Sequence, residues 1–581
     1  MKRGICAVLA LLLALSLLCG CSSTGDLISD FQRYFQKGER ATQADDGMPR
    51  FADIPYERPD VDALQQRVDE LEAALHEGKR LKAVKAILED CYADYYHFVT
   101  MYNLAYIRSC QDLTDSYYAE EYAWCDEQIG TVGQIMEDMY YICGTSELAK
   151  QLEESFFWEG FSSDYGNAEE AIYDDELIAL FQEESVLMTH YRTLMANPLI
   201  ENREGEEEDL YSRLILVDAN GYYDTLMQFY NRYNEEAAAI FIELVKVRQQ
   251  QAEKLGYENY EQMAYDYVYD RDYSPEQATA YLEEIKTWLV PLYVELDGGW
   301  DLDYSRLSTT RLKRALGAGA ERMGGVIAEA YQFMDSFDLW DVEARTNKAE
   351  TSFQDYLADY EAPFLFLDAD GDMKDLMNAS HEFGHYVDAY ANYNATESVD
   401  VSETFSQAME YLMPCYLEGV LRDAQLEELY LIKMQDTLEL YAQQGSFAEF
   451  EHIVYNTDPE ALSAEFLNEL HLRLSKEYGY YNGYSRDYYA KSWIDISHFF
   501  DSPFYIIAYP VSNDIAMQIY ELEQQEPGAG LEKYLEILPR EYSGLIDTVT
   551  AGGLESPFAP GRLEKVAQDL RERLEEGAAA A

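Results

Sequence analysis

The chain has few basic residues for its length, with 43 Lys and Arg against 110 Asp and Glu in 581 residues, a formal net charge of -67. A surface this negative repels phosphate groups, and no basic patch compensates for it, so we expect no nucleic-acid partner. Hydrophobic residues nevertheless make up 48% of the chain and aromatic residues 14%. That composition is too apolar for a disordered acidic chain, so we expect the charge on the outside of a folded core.

Cysteine is also scarce. Three of the eight cysteines lie within the first 21 residues, and no two of the others form a CxxC pair. The sequence therefore supports neither a cysteine zinc site nor a dense disulfide framework. A disulfide bond among the four cysteines between residues 91 and 143 stays open for an exported protein.

No apolar run is long enough to span a membrane as a helix. The run at residues 5–18 follows two basic residues and is too short for about 30 Å of hydrocarbon. This pattern predicts a signal peptide over residues 1–20. The LCGC sequence at residues 18–21 resembles a bacterial lipobox, so we expect cleavage before Cys21, a lipid on its thiol, and an exported chain anchored at the cell envelope. An ordinary secretory signal cleaved elsewhere is the alternative.

The remaining sequence predicts a mainly α fold. Residues 21–59 are rich in Ser, Thr, Gly, Asp and Gln, which is typical of a tether. From Asp60 onward the apolar residues recur with a helical period, as in the stripe from Val61 to Leu75. Strand signals are few, and the clearest is Pro363–Leu367, which is followed by turn-forming residues. We expect an N-terminal helical region over residues 60–200 and a second domain over residues 201–575.

A metal-binding motif lies in the second domain. Residues 381–385 read HEFGH, and on a helix His381 and His385 lie one turn apart, where both imidazoles reach one zinc ion. Glu382 could take a proton from a zinc-bound water that attacks a peptide carbonyl. The alternative is a pair of histidines on a polar helix face with no metal.

Zinc needs a third protein ligand, and two downstream glutamates are candidates. Glu403 and Glu410 are seven residues apart, on one face of a second predicted helix. One could ligate the metal while the other orients a histidine by a hydrogen bond. The alternative is that both are solvated surface glutamates.

A third candidate cluster lies near the C-terminus, where His498, Tyr505 and Tyr509 stand among apolar residues. In a zinc hydrolase, a histidine and a tyrosine are suitable donors to the oxyanion of the tetrahedral intermediate. Without a metal site nearby, His498 would be an ordinary core histidine.

Together these segments resemble the oligoendopeptidase F branch of the thimet-oligopeptidase-like zinc metallopeptidase family. The resemblance rests on HEFGH, on ETFSQAME around Glu403, and on WIDISHFFDSPFYIIAY at residues 493–509. KLGYENY at residues 254–260 and APFLFL at residues 362–367 occur in the family's order. The resemblance implies a two-lobed helical body around a deep cleft, with a small β element beside the zinc helix. It also implies a zinc metallopeptidase catalytic domain over residues 201–575 that cuts internal bonds of short peptides.

The resemblance also implies the role of each matched position. His381, His385 and Glu403 would hold one Zn²⁺ per chain, with Glu382 as the catalytic base. The transition-state donors would be His498 and one of the two tyrosines, Tyr505 or Tyr509. Glu410 falls where the family also has an acidic residue. The interval from His385 to Glu403 is several residues shorter than in better-known members.

For the substrate, we expect an extended peptide to pair with an exposed strand edge at Phe364, Leu365 and Phe366, because main-chain hydrogen bonds bind without demanding one side chain. We expect a monomer whose partners are short peptides and, through Cys21, a membrane. Two alternatives stay open. One is an inactive lipid-anchored peptide-binding protein of the same fold, and the other is a zinc carboxypeptidase or dipeptidyl carboxypeptidase.

Overall fold

The computed structural model describes residues 48–580 except 159, 167–174, 197, 202–204, 215, 218, 297–303, 395–397, 484 and 540–543. The predicted signal peptide, Cys21 and most of the predicted tether lie outside the described residues. Within the described part of the chain, none of the helices combines the length and apolar character needed to cross a bilayer.

The first lobe is a small helical unit with its own hydrophobic core. Asp60 caps its first helix, since the carboxylate accepts a hydrogen bond from the Ala63 amide. Leu64, Val68 and Leu71 of the predicted stripe are buried, so the amphipathic helix is confirmed. The helices of this lobe are α1 Val61–His76, α2 Leu81–Gln111, α3 Ser116–Gly144, α4 Ala149–Glu153 and α5 Phe161–Gly166.

The second lobe is larger, and most of its helices pack into one continuous core. The mainly α, two-lobed prediction is therefore confirmed. Its helices are α6 Asp175–Ala196, α7 Leu210–Leu214, α8 Ala219–Lys254, α9 Tyr260–Met263, α10 Pro275–Glu284, α11 Val290–Leu296, α12 Thr309–Met323, α13 Gly325–Ser336, α14 Lys374–Asn392, α15 Val399–Cys415, α16 Asp423–Tyr455, α17 Ala464–Glu477, α18 Arg486–Lys491, α19 Ser497–Asp501, α20 Ala508–Gln525, α21 Ala529–Ile537, α22 Leu545–Ala551 and α23 Arg562–Ala580.

The structure differs from two predicted boundaries. Helix α6 packs along α8 and buries Leu180, Met188 and Tyr191 in the larger core, so the lobes divide before α6 and not after residue 200. The end of the predicted tether is part of the folded body. Phe51 is 5% exposed and its ring centroid lies 4.2 Å from that of Phe364. The free energy gained by burying Phe51 compensates for the conformational entropy lost when this polar segment is ordered.

The cysteines of the described residues form no disulfide bond. Cys91, Cys110, Cys125 and Cys143 are buried and remain outside any disulfide bond, as does the exposed Cys415. The bridge that the sequence left open among the first four is therefore absent.

Two small sheets complete the fold. Strands β1 Leu199–Glu201 and β2 Glu207–Asp209 form an antiparallel pair. Strands β3 Trp340–Asp341, β4 Phe353–Leu357 and β5 Ala362–Phe366 form a three-stranded sheet in the order β3-β5-β4. Because β5 leads directly into α14 and packs against it, the predicted β element beside the zinc helix is confirmed.

The predicted peptide-binding edge is wrong. β5 is the central strand, with β3 parallel on one side and β4 antiparallel on the other. Phe364, Leu365 and Phe366 are fully buried, and the ring of Phe366 stacks on that of Phe353 with centroids 4.8 Å apart. A continuous apolar run is what an interior strand needs, since both of its faces are covered. These three residues belong to the hydrophobic core and do not form an exposed strand edge that could bind a substrate.

Candidate metal centre and active site

Close helix packing at Gly384 brings the two halves of the metal motif together. An added Cβ at Gly384 would lie 2.5 Å from the Ser406 Cα and 2.6 Å from the Phe405 carbonyl oxygen on α15. Helices α14 and α15 therefore touch backbone to backbone at this point, which only glycine permits. The contact places Glu403 of α15 opposite the two histidines of α14.

The three predicted ligands converge. The Nε2 atoms of His381 and His385 lie 3.6 and 3.8 Å from Oε2 of Glu403, and the possible ligand atoms all lie within 4.8 Å of one another. A tetrahedral zinc site with bonds of about 2.1 Å has ligand-to-ligand edges of about 3.4 Å. Two imidazole nitrogens and one carboxylate oxygen at these separations fit zinc.

Each histidine is oriented by a hydrogen bond at its other ring nitrogen. Nδ1 of His381 lies 2.7 Å from Oε1 of Glu410, and Nδ1 of His385 lies 3.2 Å from Oγ of Ser402. These contacts aim both Nε2 atoms at Glu403, as metal sites require. Sequence reasoning foresaw Glu410 but not Ser402.

A buried lysine holds Glu410 in place. Nζ of Lys433 on α16 donates to Oε2 of Glu410 at 2.7 Å. Burial raises the pKa of Glu410, but Lys433 and His381 outweigh it and lower the pKa to about 2. Glu410 is therefore an anion that accepts from both sides. Lys433 was not predicted from the sequence, where its only signal is that it is the one charged residue in the stretch 429–435.

Glu382 is a buried carboxyl group whose properties suit acid–base catalysis. It is 7% exposed, and its Oε2 atom has no hydrogen-bond partner among the described residues. Burial raises the pKa of this carboxyl to about 8, with Glu403 and Glu410 adding to the effect and His381 opposing it. A buried, unpartnered carboxyl with a pKa near neutrality suits proton transfer.

The third cluster also reaches the metal centre. The Tyr505 hydroxyl donates to Oε1 of Glu403 at 2.7 Å, and the Tyr509 hydroxyl lies 3.2 Å from Nε2 of His498. The ring centroids of Tyr505 and His498 are 5.5 Å apart. The structure thus brings residues from α14, α15 and the segment Ser497–Tyr509 to one place.

Comparison with known proteins agrees with this geometry. A model of the peptidase M3 N-terminal domain matches residues 51–163, and a model of peptidase family M3 matches residues 326–541, together more than half of the chain. The chain belongs to peptidase family M3. The second match contains the whole candidate site.

Among curated relatives, oligopeptidase PepF of Bacillus subtilis is 24% identical over 313 residues, which is 51% of this chain and 45% of that protein. Oligoendopeptidase F of Lactococcus lactis subsp. cremoris is 25% identical over 306 residues, 48% of each chain. The chain therefore matches about half the length of these relatives.

Solved structures share the fold of this chain. PZ peptidase A with an inhibitor superposes with a TM-score of 0.76 at 22% identity, covering 91% of this chain and 99% of that one. Oligoendopeptidase-F from Enterococcus faecium gives a TM-score of 0.55 at 16% identity, covering 89% and 98%. The fold thus extends over nearly the whole described body.

Proposed function

We propose that this M3-family chain is a zinc-dependent endopeptidase that cuts internal bonds of short peptides. The observation that carries the proposal is the convergence of two imidazoles and Glu403 beside Glu382, whose buried Oε2 has no partner among the described residues. His381, His385 and Glu403 would hold the metal. When bound, zinc would polarise the peptide carbonyl and lower the pKa of a water molecule.

The chain's own residues would manage the proton. Glu382 takes a proton from the attacking water at its carboxylate and later delivers it to the leaving amine. The buried position of Glu382 keeps bulk water from competing for this proton.

His498 and Tyr509 would stabilise the negative charge that develops on the carbonyl oxygen. The hydroxyl of Tyr505 is engaged with Glu403 and its side chain is 5% exposed, whereas Tyr509 is partly exposed and pairs with His498. This difference favours Tyr509 as the substrate donor and Tyr505 as a residue that orients the metal ligand.

The decisive experiment is Glu382→Gln. It should retain zinc, measured by metal analysis, and lower the hydrolysis of a quenched peptide by roughly 10³-fold or more, within the range of acid–base contributions. The matched control is Glu329→Gln, an exposed glutamate on α13, which should cut like the wild type. Wild-type turnover by the Glu382 variant would contradict the proposed base.

Two other activities predict different results. Trimming from a terminus, as by a carboxypeptidase or dipeptidyl carboxypeptidase, yields a ladder of products from one defined peptide, whereas internal cleavage yields two fragments by mass spectrometry. An inactive peptide-binding protein would show no chelator-sensitive hydrolysis. The Oε2 atom of Glu382 favours the enzyme, because a buried polar atom without a hydrogen-bond partner among the described residues is costly in a protein that only binds.

We further propose that the chain is an exported, monomeric lipoprotein anchored through Cys21. The supporting observations are the basic start, the short apolar run and the lipobox-like sequence at residues 18–21. Cys21→Ser should move the protein from the membrane fraction to the soluble fraction. Unchanged membrane association in that variant would reject the anchor.

A further inference from the structure

The segment Ser497–Tyr509, which carries His498 and both tyrosines, contains an irregular stretch between two helices. α19 ends at Asp501 and α20 begins only at Ala508. Between them Phe504 has a φ of 68°, a left-handed conformation that is unusual for a bulky residue. Such backbone persists only when surrounding groups hold it in place.

Buried side chains from other parts of the chain hold this backbone in place through hydrogen bonds. The amide of Phe504 donates to Oε1 of Glu451 at 2.9 Å, and the carbonyl of Pro503 accepts from the Tyr269 hydroxyl at 3.1 Å. The carbonyl of Phe500, at the end of α19, accepts from Nη2 of the buried Arg248 at 2.5 Å. The segment is thus fixed by its backbone at several points.

A further buried side chain, Arg271, binds both this segment and helix α15, which carries Glu403. Nη1 of the buried Arg271 donates to the Phe504 carbonyl at 2.8 Å. The Nε and Nη2 atoms of Arg271 donate to the two carboxylate oxygens of Asp400, at 3.1 and 3.2 Å. Asp400 lies on α15, three residues before Glu403. A single guanidinium therefore joins the residue before Tyr505 to the helix turn that carries the metal ligand.

We propose that Arg271 is a positioning residue that sets the spacing between the metal ligand Glu403 and the donor segment of Tyr505 and Tyr509. The inference rests on the proposed peptidase function. Arginine suits this place because its rigid fork binds a carboxylate with two donors while a third donor remains for a carbonyl. An ammonium has no such planar fork and holds both partners less firmly.

The test uses two variants and a matched control. Arg271→Met with Asp400→Asn removes the bridge without leaving an unpaired buried charge. Arg271→Lys keeps the positive charge beside Asp400 but removes the two-pronged guanidinium contact with its carboxylate. The control is Arg562→Met with Asp514→Asn, an equally buried ion pair in which Nε of Arg562 donates to Oδ1 of Asp514 at 2.6 Å.

We expect the Arg271/Asp400 double variant to lose roughly 100-fold in kcat with KM changed less than threefold, since a misplacement of about 1 Å can cost that much. Its zinc affinity, measured by chelator competition, should fall roughly tenfold, as for other residues that orient metal ligands. Arg271→Lys should melt near the wild type and still lose kcat. The control should keep the wild-type kcat and zinc affinity, whatever its melting temperature.

The inference is overturned if both Arg271 variants match the control in kcat and zinc affinity. If the double variant fails to fold, Arg271→Lys decides by the same two measurements. A wild-type protein that binds zinc and cuts no peptide would reject the proposed function, while the zinc affinities would still test Arg271. The two failures are therefore distinguishable.

Discussion

The candidate site has two halves that are built in different ways. The metal half, His381 to Glu403, stands on two regular helices whose positions follow from local periodicity and from the contact at Gly384. The donor half, Ser497–Tyr509, contains an irregular stretch at residues 502–507 that is held by side chains such as Arg271 and Glu451, which are far away in sequence. Local sequence can therefore specify the first half, whereas only the completed core specifies the second.

Within the donor half, the largest expected effect separates the two tyrosines. Tyr509→Phe should lower kcat by roughly 100-fold, because removing one oxyanion donor costs about that much, and should leave zinc affinity unchanged. Tyr505→Phe should instead weaken zinc binding, since its hydroxyl bonds to Glu403. Steady-state kinetics and chelator competition measure both. An exchange of the two phenotypes would reverse the assigned roles.

A smaller effect is expected from the support of the metal half. Glu410→Gln removes the anion that orients His381 and should weaken zinc binding roughly tenfold. With saturating zinc, kcat should return close to the wild-type value. Glu427→Gln, at an exposed position on α16 that belongs to neither the predicted ligands nor their partners, is the control. Equal zinc affinities in the two variants would show that Glu410 does not orient His381.

The pH profile tests whether His498 of the donor half acts as a neutral imidazole. Burial lowers the pKa of His498 to about 4, although Glu403 opposes the shift. A base with a lowered folded pKa stays neutral as pH falls through about 6.5, the value expected in the unfolded chain, and charges only near pH 4. The folded state should lose stability over that interval as pH falls, because the unfolded chain takes up the proton first.

His498→Asn should therefore lower kcat without moving any inflection of kcat/KM between pH 5 and 9. The profile of the wild type supplies the comparison. An acid inflection near neutrality that disappears in the variant would mean that His498 titrates during turnover.

The smallest expected effect comes from charge outside both halves. Because the chain is strongly acidic, Lys- and Arg-rich peptides should be captured severalfold faster than neutral peptides at low salt, and the advantage should shrink as salt screens the charge. Measurement of kcat/KM across a salt series checks this. A salt-independent ratio would leave substrate choice to the site alone.

The sequence predicted the metal half well because a helical period converts residue spacing directly into proximity. It did not reveal Lys433 or Arg271, because a buried ion pair depends on a partner that tertiary packing alone brings near. The run Pro363–Leu367 predicted a strand, but an apolar run cannot tell a central strand from an edge. Phe51 was assigned to the tether because one aromatic residue in a polar segment does not reveal the hydrophobic surface that receives it.

The close contact at Gly384 has a consequence for motion. Since the backbones of α14 and α15 already touch there, neither helix can slide or tilt toward the other without a collision. We therefore expect the two helices to move together as one rigid unit. A metal ion held between these two helices would therefore keep its coordination geometry during larger motions of the protein.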